Sequence, residues 1–334
     1  MTVRHQPDNY TLPVSITDLK AATDVAAETM NLRAVFERCG LVACVGGQAG
    51  LLALALLFFT LSADAEPSIH ALTGIMEGHQ VGGVAVDAVG NLYVADFGDL
   101  VWKIPPEGQP RIFAEGFYGS SGNAIDHQGN LFQSSYYGDF VTKIDRIGHT
   151  TLFTTSGLQG PVGIAIDRTS GELYVANCNG NTVARIGGDG VASTFAASAL
   201  LKCPNGIVFD SSGMLYVVNY RDNHMLKIDR SGNVSLFASV SSKGLGHVCF
   251  KKDRFYVTAF ESHEIYEVKL NGTVSRILGN GQRGIVNGSG DSVRLSYPNG
   301  IACDPWAPHL YINEFDNDSD EGSPRRAIVR QVDL

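Results

Sequence analysis

Short apolar runs alternate with polar turns along most of this chain. In the stretch from Pro204 to Ile228, "PNGIVFDSSGMLYVVNYRDNHMLKI", three short apolar runs are separated by Ser-Ser-Gly and by Arg-Asp-Asn-His. Runs of this kind, bounded by Gly, Asn, Asp and Ser, are typical of β-strands. The gaps are too short for crossover helices, so the pattern predicts antiparallel strands joined by tight turns.

The same pattern returns six times from residue 68 onward, at a spacing of about 40 residues. The first strand of each repeat reads GVAVD, NAID, GIAID, GIVFD, HVCFK and GIACD, and the second reads LYVAD, LFQSS, LYVAN, LYVVN, FYVTA and LYINE. Two further strands follow in each repeat except the last. A single four-stranded sheet cannot bury both faces, whereas six sheets arranged radially bury each one against its neighbours.

The sixth repeat lacks its fourth strand, and a matching segment lies at the other end of the repeats. "SIHAL" (68–72) has the pattern of a fourth strand and precedes the first repeat. We therefore predict an all-β fold, a six-bladed β-propeller over residues 66–334 that an N-terminal strand closes.

The segment before the repeats has a different character. Residues 1–39 form a polar leader that we expect to be disordered. Residues 40–63 carry no charge and are followed by Asp64 and Ala65, so that 40–65 reads as the apolar region of a signal peptide or as a membrane anchor. Both alternatives predict an extracytoplasmic protein, secreted, periplasmic or tethered to a membrane through residues 40–63.

Composition narrows the choice of partners. Charged residues make up 18% of the chain and there are 38 glycines, which suits short strands and tight turns. The net charge of −9 and the lack of a basic stripe argue against a nucleic-acid partner. We expect a monomer that binds a small molecule.

Polar residues recur where the first strand of a repeat begins and the second ends. In a propeller these points meet at one face around the central channel. They carry Asp96, Asn177, Asn205, Asn219, His247, Glu261, Asn299, Asn313 and Glu314. Oxygen atoms converging on a channel suit Ca²⁺ or a hydroxylated ligand, although Asn and Asp also stabilise turns.

These residues divide into three predicted roles. We expect Asn177, Asn219, Asn299 and Glu314 to bind substrate, and Asp96 with Asn205 to hold one divalent cation, Ca²⁺ before others. His247 stands where other repeats have Gly, and we predict it as a general base, together with Glu261. The structural alternative for His247 is a packed side chain that donates to a carbonyl.

The repeats resemble the NHL type through "PNGIACD", "LYVAN" and the lead-in "GNGQRGIVNGSGDSVRLSYPNG". They are also similar to the SMP-30/gluconolactonase and strictosidine-synthase-like propellers. The first of these families implies a divalent metal, but only Asn205 matches its ligands. The other ligand positions fall on Ser121, on Gly246 and on "QVGG" (80–83), which has no Glu. The second family implies a metal-free acidic residue, for which Glu261 or Glu314 stands in.

The resemblance leaves two classes of function open. The first is a lactonase- or esterase-like hydrolase acting in the polar channel. The alternative is a non-catalytic NHL-type module that binds a ligand or a protein.

Four cysteines follow the N-terminal segment. Cys178 and Cys203 lie at the channel face of adjacent repeats, so we predict a disulfide between them in an oxidising compartment. Cys249 and Cys303 lie within innermost strands, and we expect them to be buried apolar residues without a bond.

Overall fold

The computed structural model describes residues 66–72, 76–77, 81–316 and 326–334, of which 76, 77, 316 and 326 are described by their backbone alone. The predicted leader (1–39) and signal or anchor segment (40–65) lie outside the described residues. Within the described ranges, no helix has the length and apolar character needed to span a membrane.

The described residues form strands almost throughout, grouped into six sheets, here called blades 1 to 6. The chain begins with β1 (Ser68–Ala71) and β2 (Met76–Glu77). Blade 1 contains β3 (Val84–Val86), β4 (Leu92–Ala95), β5 (Leu100–Ile104) and β6 (Arg111–Glu115). Blade 2 contains β7 (Ser120–Ile125), β8 (Leu131–Ser135), β9 (Phe140–Ile144) and β10 (Thr150–Thr154). Blade 3 contains β11 (Pro161–Ile166), β12 (Leu173–Asn177), β13 (Thr182–Ile186) and β14 (Ala192–Ala197).

The second half of the ring repeats this order. Blade 4 contains β15 (Pro204–Phe209), β16 (Leu215–Asn219), β17 (His224–Ile228) and β18 (Val234–Ser239). Blade 5 contains β19 (Leu245–Lys251), β20 (Arg254–Ala259), β21 (Glu264–Lys269) and β22 (Val274–Leu278). Then come β23 (Gly288–Ser289), a 3-10 helix (Gly290–Ser292), β24 (Ile301–Cys303), β25 (His309–Asp316) and β26 (Arg326–Asp333).

Blade 6 closes the ring with strands from both ends of the described chain. Its order is β24, β25, β26 and β1, with β23 beyond β1 and β2 beside β26. β1 pairs antiparallel with β26, so that Ser68 faces Asp333 and Ala71 faces Arg330. This confirms the prediction of a six-bladed propeller closed by the segment at 68–72.

Successive side chains of an innermost strand point to opposite faces of its sheet, so each side chain contacts one of the two neighbouring blades. Ile207 of β15 packs with Ala165 of blade 3, and Val248 of β19 packs with Val218 of blade 4. Burying one such aliphatic side chain stabilises the fold by about 1.5–3 kcal/mol. The apolar residues of the repeats therefore form the contacts between blades, and the core runs around the ring.

The blades approach most closely where each repeat carries its first glycine. A Cβ atom added to Gly206 would lie 2.7 Å from the Cα atom of His247 in the next blade. A Cβ atom on Gly163 would lie 2.3 Å from the carbonyl oxygen of Asn205. Real Cβ contacts are longer than this, so glycine is needed at these two positions for the inner strands to pack. His247 occupies the equivalent position in blade 5.

Two disulfides join neighbouring blades. Cys178 and Cys203 are bonded between blades 3 and 4, which is the predicted pair. Cys249 and Cys303 are also bonded, between β19 and β24. The expectation that these two were unbonded apolar residues is therefore wrong. Cys249 faces blade 6 and Cys303 faces blade 5, so their side chains meet across the boundary between the blades.

Candidate functional site

The first two strands of a blade meet at one face of the propeller. Pro161 is opposite Asn177, Pro204 is opposite Asn219, and Leu245 is opposite Ala259. The first strand therefore begins where the second ends, and chain closure brings these corners together around the axis. We call this end of the channel the mouth.

A cavity of about 320 Å³ lies at the mouth. Its wall is formed by one residue from each blade, at or just beyond the end of the second strand: Phe97, Tyr136, Cys178, Tyr220, Phe260 and Phe315. Its floor is formed by residues that begin the inner strands or precede them: Val81, Ser121, Val162, Asn205 and Asn299. Cys203 and Tyr297 complete the lining. No charged side chain of the described ranges lines this cavity.

The aromatic rings of the wall contact one another in two arcs. Phe97 and Tyr136 form the first arc, with ring centroids 5.7 Å apart. Phe260 lies 6.3 Å from Tyr220 and 5.1 Å from Tyr297, and so forms the centre of the second arc. The Cys178–Cys203 disulfide fills the gap between the arcs at blades 3 and 4. The wall is thus a nearly continuous apolar ring.

Three residues of the lining, Phe97 with φ of 53°, Cys203 and Tyr297, adopt a backbone conformation that side chains disfavour. At five corners, the residue that precedes the first strand, or precedes the proline leading into it, has its backbone in the left-handed region. Three of these five residues are glycines. Cys203 and Tyr297 occupy the other two, each with φ of 51°. Such conformations cost non-glycine residues on the order of 1–3 kcal/mol. A cysteine of the disulfide and an aromatic residue of the lining therefore occupy positions where glycine would cost less free energy.

The two floor asparagines direct their amide groups away from the cavity. Asn205 Nδ2 donates to the Leu245 carbonyl at 3.2 Å, and Asn299 Nδ2 donates to the Val81 carbonyl. Both acceptors belong to the next blade, so these bonds tie the blades together. Asn205 Oδ1 is buried and has no hydrogen-bond partner among the described residues. Asn205 therefore brings to the floor a carboxamide oxygen that the fold leaves without a donor.

His247 lies beside the floor but outside the cavity lining. Its backbone N–H donates to the Asn299 carbonyl at 3.1 Å and to Thr258 Oγ1 at 2.9 Å. The side chain is buried, and burial lowers its pKa from 6.5 to about 4. Its Nε2 atom meets no hydrogen-bond partner in the described part of the chain. The imidazole is consequently neutral at physiological pH and has a ring nitrogen unused by the fold.

Glu261 lies at the rim. It is exposed, and it follows the wall residue Phe260. Burial and the neighbouring Glu261 carboxylate together raise the pKa of Tyr220, whose ring forms part of the wall. Glu261 therefore places a negative charge close to the cavity without lining it.

The structure does not bring the other predicted residues into the cavity. Asn177 Oδ1 accepts from the Gln159 N–H at 3.2 Å, and Asn219 Oδ1 accepts from the Lys202 N–H at 3.1 Å. Asp96 Oδ1 accepts from the Gly98 and Leu100 N–H groups and from Ser120 Oγ. Each of these side chains stabilises the loop at its own corner.

Glu314 and Asn313 are also engaged within the fold. Both oxygens of Glu314 contact Arg330 Nη1, at 3.2 and 3.0 Å, and both side chains are fully buried. Burial raises the pKa of Glu314 to about 7, although the Arg330 guanidinium opposes this rise. Asn313 bridges Gly300 to the Gly82 carbonyl of blade 1. Of the residues predicted to bind substrate or metal, Asn299 and Asn205 line the cavity.

The lining does not fit a Ca²⁺ site. Ca²⁺ takes six to eight oxygen ligands that normally include carboxylates. Asp96 is bound within its own loop, and Asn205 has no carboxylate beside it in the lining. Among the described residues, no three His, Cys, Asp or Glu side chains form a cluster suited to a metal. Ca²⁺ binding stays a prediction that a chelator tests.

The aromatic wall was not predicted, although the sequence carries its signal. In four blades the wall residue comes directly after a polar residue that was predicted to bind a ligand: Asp96, Asn177, Asn219 or Glu314. Side chains of successive residues point to opposite sides of an extended chain. The polar residue is therefore turned into its corner, and the next residue, aromatic in five of the six blades, faces the axis.

A second cavity of about 460 Å³ lies between blades 6 and 1, at the opposite end of the first strands. It is lined in part by Asp87, Val89, Pro105, Trp306 and Tyr311. The Trp306 side chain is 78% exposed, and its Nε1 donates to the Ala88 carbonyl. None of the predicted site residues lies there.

No protein-family model matches the sequence, and no curated protein matches it. Solved structures share the fold. A gluconolactonase from Xanthomonas campestris is 16% identical with a TM-score of 0.61, over 81% of this chain and 96% of that one. An auxiliary nutrient binding protein from Bacteroides ovatus is 15% identical with a TM-score of 0.65, over 80% and 76%. Inactive virginiamycin B lyase from Staphylococcus aureus with quinupristin is 14% identical with a TM-score of 0.57, over 78% and 82%.

These identities are low, and the similarity establishes the propeller fold alone. The resemblance to gluconolactonase-like propellers, first seen in the repeats, is confirmed at that level. The three proteins differ in what their names describe, so the fold does not select among a hydrolase, a lyase and a binding protein.

Proposed function

We propose that this protein binds a small, ring-bearing organic molecule in the aromatic cavity at the mouth of its channel. The observation that supports this most is the lining itself, in which a wall of aromatic rings surrounds a floor with an unpartnered buried acceptor, Asn205 Oδ1. Apolar concave sites with few polar groups are the usual form of small-molecule sites. The volume of about 320 Å³ suits a ligand of one or two rings.

A wall ring should be needed for binding. Replacing Phe260 with Leu is expected to weaken ring-bearing ligands by about 1 kcal/mol, or roughly fivefold, because the stacking contact is lost. Isothermal titration calorimetry with a panel of aromatic lactones and esters measures this change. Phe113→Leu, which alters a ring on β6 away from the cavity, is the matched control. Equal affinities in both variants would place the ligand elsewhere.

Hydrolysis of the bound molecule is a second candidate function, favoured by His247. Its imidazole is neutral, has an unpartnered Nε2 and lies next to the floor residue Asn299, so that a water molecule reaching Nε2 would meet a free acceptor. In this role His247 activates water against a lactone or ester, and Glu261 at the rim is the alternative base. The products are the hydroxy acid, or an acid and an alcohol.

Turnover separates this candidate from binding alone. Rates on the same panel should fall at least a hundredfold in His247→Ala if it is the base, and in Glu261→Gln if that residue acts instead. Adding a chelator should leave the rate unchanged if no Ca²⁺ takes part. Binding without turnover in the unaltered protein would support the non-catalytic module.

We also propose that the protein works outside the cytoplasm. Its two disulfides, Cys178–Cys203 and Cys249–Cys303, persist in oxidising compartments and are rare in reducing ones. Secretion or membrane tethering through residues 40–63 is the corresponding route, and N-terminal sequencing of the exported protein distinguishes cleavage from anchoring.

A further inference from the structure

We propose that the molecule bound in the aromatic cavity carries a positively charged ammonium group. This inference rests on the proposed function and specifies the chemistry of its ligand. Three features of the described residues favour a cation: the wall rings, the orientation of the floor carboxamides, and the charge of the loops around the mouth.

The wall surrounds the cavity with aromatic rings. Phe97, Tyr136, Tyr220 and Phe260 line the same cavity from four blades, at ring separations of 5.7 Å within the first pair and 6.3 Å within the second. Several rings around one small volume stabilise a cation through their quadrupoles, and quaternary ammonium groups are bound in this way. Tyr297 already has a cation against its ring, since the Arg283 guanidinium lies 5.4 Å from its centroid. The rings left for a ligand are therefore these four and that of Phe315.

The N–H groups of the two floor carboxamides are used within the protein. Asn205 and Asn299 both use Nδ2 to bind a carbonyl of the next blade, which turns the donor end of each carboxamide away from the ligand. Asn205 is only 7% exposed and its Oδ1 has no partner in the described part of the chain. An unpartnered buried acceptor is costly, and an ammonium N–H or a polarised N–CH₃ group relieves that cost. A carboxylate or phosphate ligand would face this oxygen with like polarity.

The loops that follow the second strands are acidic. The five described loops that follow the second strands are 96–99, 136–139, 178–181, 220–223 and 260–263. They carry five carboxylates, Asp96, Asp99, Asp139, Asp222 and Glu261, and one arginine, Arg221. The segments that lead into the first strands carry Lys202, Lys243, Arg283 and Arg294, so the acidic charge is confined to the loops that contain the wall residues, where it attracts cations. Among them, Glu261 acts on the wall residue Tyr220, whose pKa it helps to raise.

A pair of probes of equal shape tests the inference. Choline carries a trimethylammonium group, and 3,3-dimethylbutan-1-ol is its neutral isostere. Calorimetry with the full protein should show choline binding at least tenfold more tightly than the alcohol. The Phe260→Leu variant should bind choline about fivefold more weakly than the unaltered protein does, with little change in its affinity for the alcohol. Phe113→Leu should bind both probes as the unaltered protein does.

The rim charge gives a second measurement. Glu261→Gln keeps the shape of the side chain and removes its charge. It should lower the affinity for choline about threefold at low ionic strength and leave the affinity for the alcohol unchanged. If the alcohol binds as tightly as choline, the ammonium inference is overturned and the proposed small-molecule site stands. If choline does not bind while neutral aromatic lactones or esters do, the inference is likewise overturned. If nothing binds in the cavity, both proposals fail.

Discussion

Replacing Glu314 with Ala is expected to lower the free energy of unfolding by about 3–5 kcal/mol. The substitution leaves the fully buried Arg330 guanidinium without its counter-charge, because Glu314 is the carboxylate at 3.0 Å from Nη1. Arg330 also binds the Arg294 and Val286 carbonyls, so an uncompensated charge would disturb the segment between blades 5 and 6. Urea unfolding at pH 8 measures the loss. Burial raises the pKa of Glu314 to about 7, so its carboxylate is ionised at that pH.

A double substitution provides the control for this pair. Glu314→Leu with Arg330→Met removes both charges and keeps an apolar volume, so most of the lost stability should return. The stability of Glu314→Gln should lie between that of Glu314→Ala and that of the double variant, since Gln keeps the hydrogen bonds and loses the charge. A loss below 1 kcal/mol for Glu314→Ala would contradict the account, as would a double variant no more stable than the single one.

Acidification is expected to destabilise the protein through His247 by about 3 kcal/mol. The fold holds this imidazole neutral by burial and lowers its pKa from 6.5 to about 4, and each pKa unit corresponds to ~1.4 kcal/mol. Between these two values the unfolded chain takes up a proton that the folded chain does not. The contribution is therefore fully present above pH 6.5 and is lost as the pH falls towards 4.

The variant His247→Gly isolates this contribution, since other blades carry Gly at the same position. The difference in unfolding free energy between the unaltered protein and His247→Gly should decrease steadily from pH 6.5 to pH 4. His127→Ala, which removes an exposed histidine, should follow the unaltered protein at every pH. A difference that is constant with pH would mean that the pKa of His247 is the same in the folded and the unfolded protein, and would contradict the burial of a neutral imidazole.

The fold was predictable because it depends on a repeated local pattern. Strand length, turn residues and the displaced fourth strand at 68–72 together specify six blades and their closure. The Cys249–Cys303 disulfide was missed although the alternation of side chains contains it. Cys249 lies two residues after His247, and Cys303 lies three residues after Gly300. In adjacent blades, these offsets turn the two side chains towards each other.

The site was predicted only in part, for a different physical reason. The sequence indicated which corners meet, and Asn205 and Asn299 do line the cavity there. It did not indicate that Asn177, Asn219 and Asp96 bind backbone groups of their own corners, since that choice depends on side-chain geometry. Glu314 was predicted from its place near the end of a strand. The residue opposite Glu314 on the next strand is Ile328, whereas the charge partner of Glu314 is Arg330, two residues further along that strand.

A crystal structure soaked with small ring-bearing fragments tests the central claim most directly. We predict that fragments occupy the axial cavity, in contact with Phe97, Tyr220 or Phe260 and with a polar atom within hydrogen-bonding distance of Asn205 Oδ1. Fragments found only in the groove beside Trp306, with the axial cavity left to solvent, would contradict it.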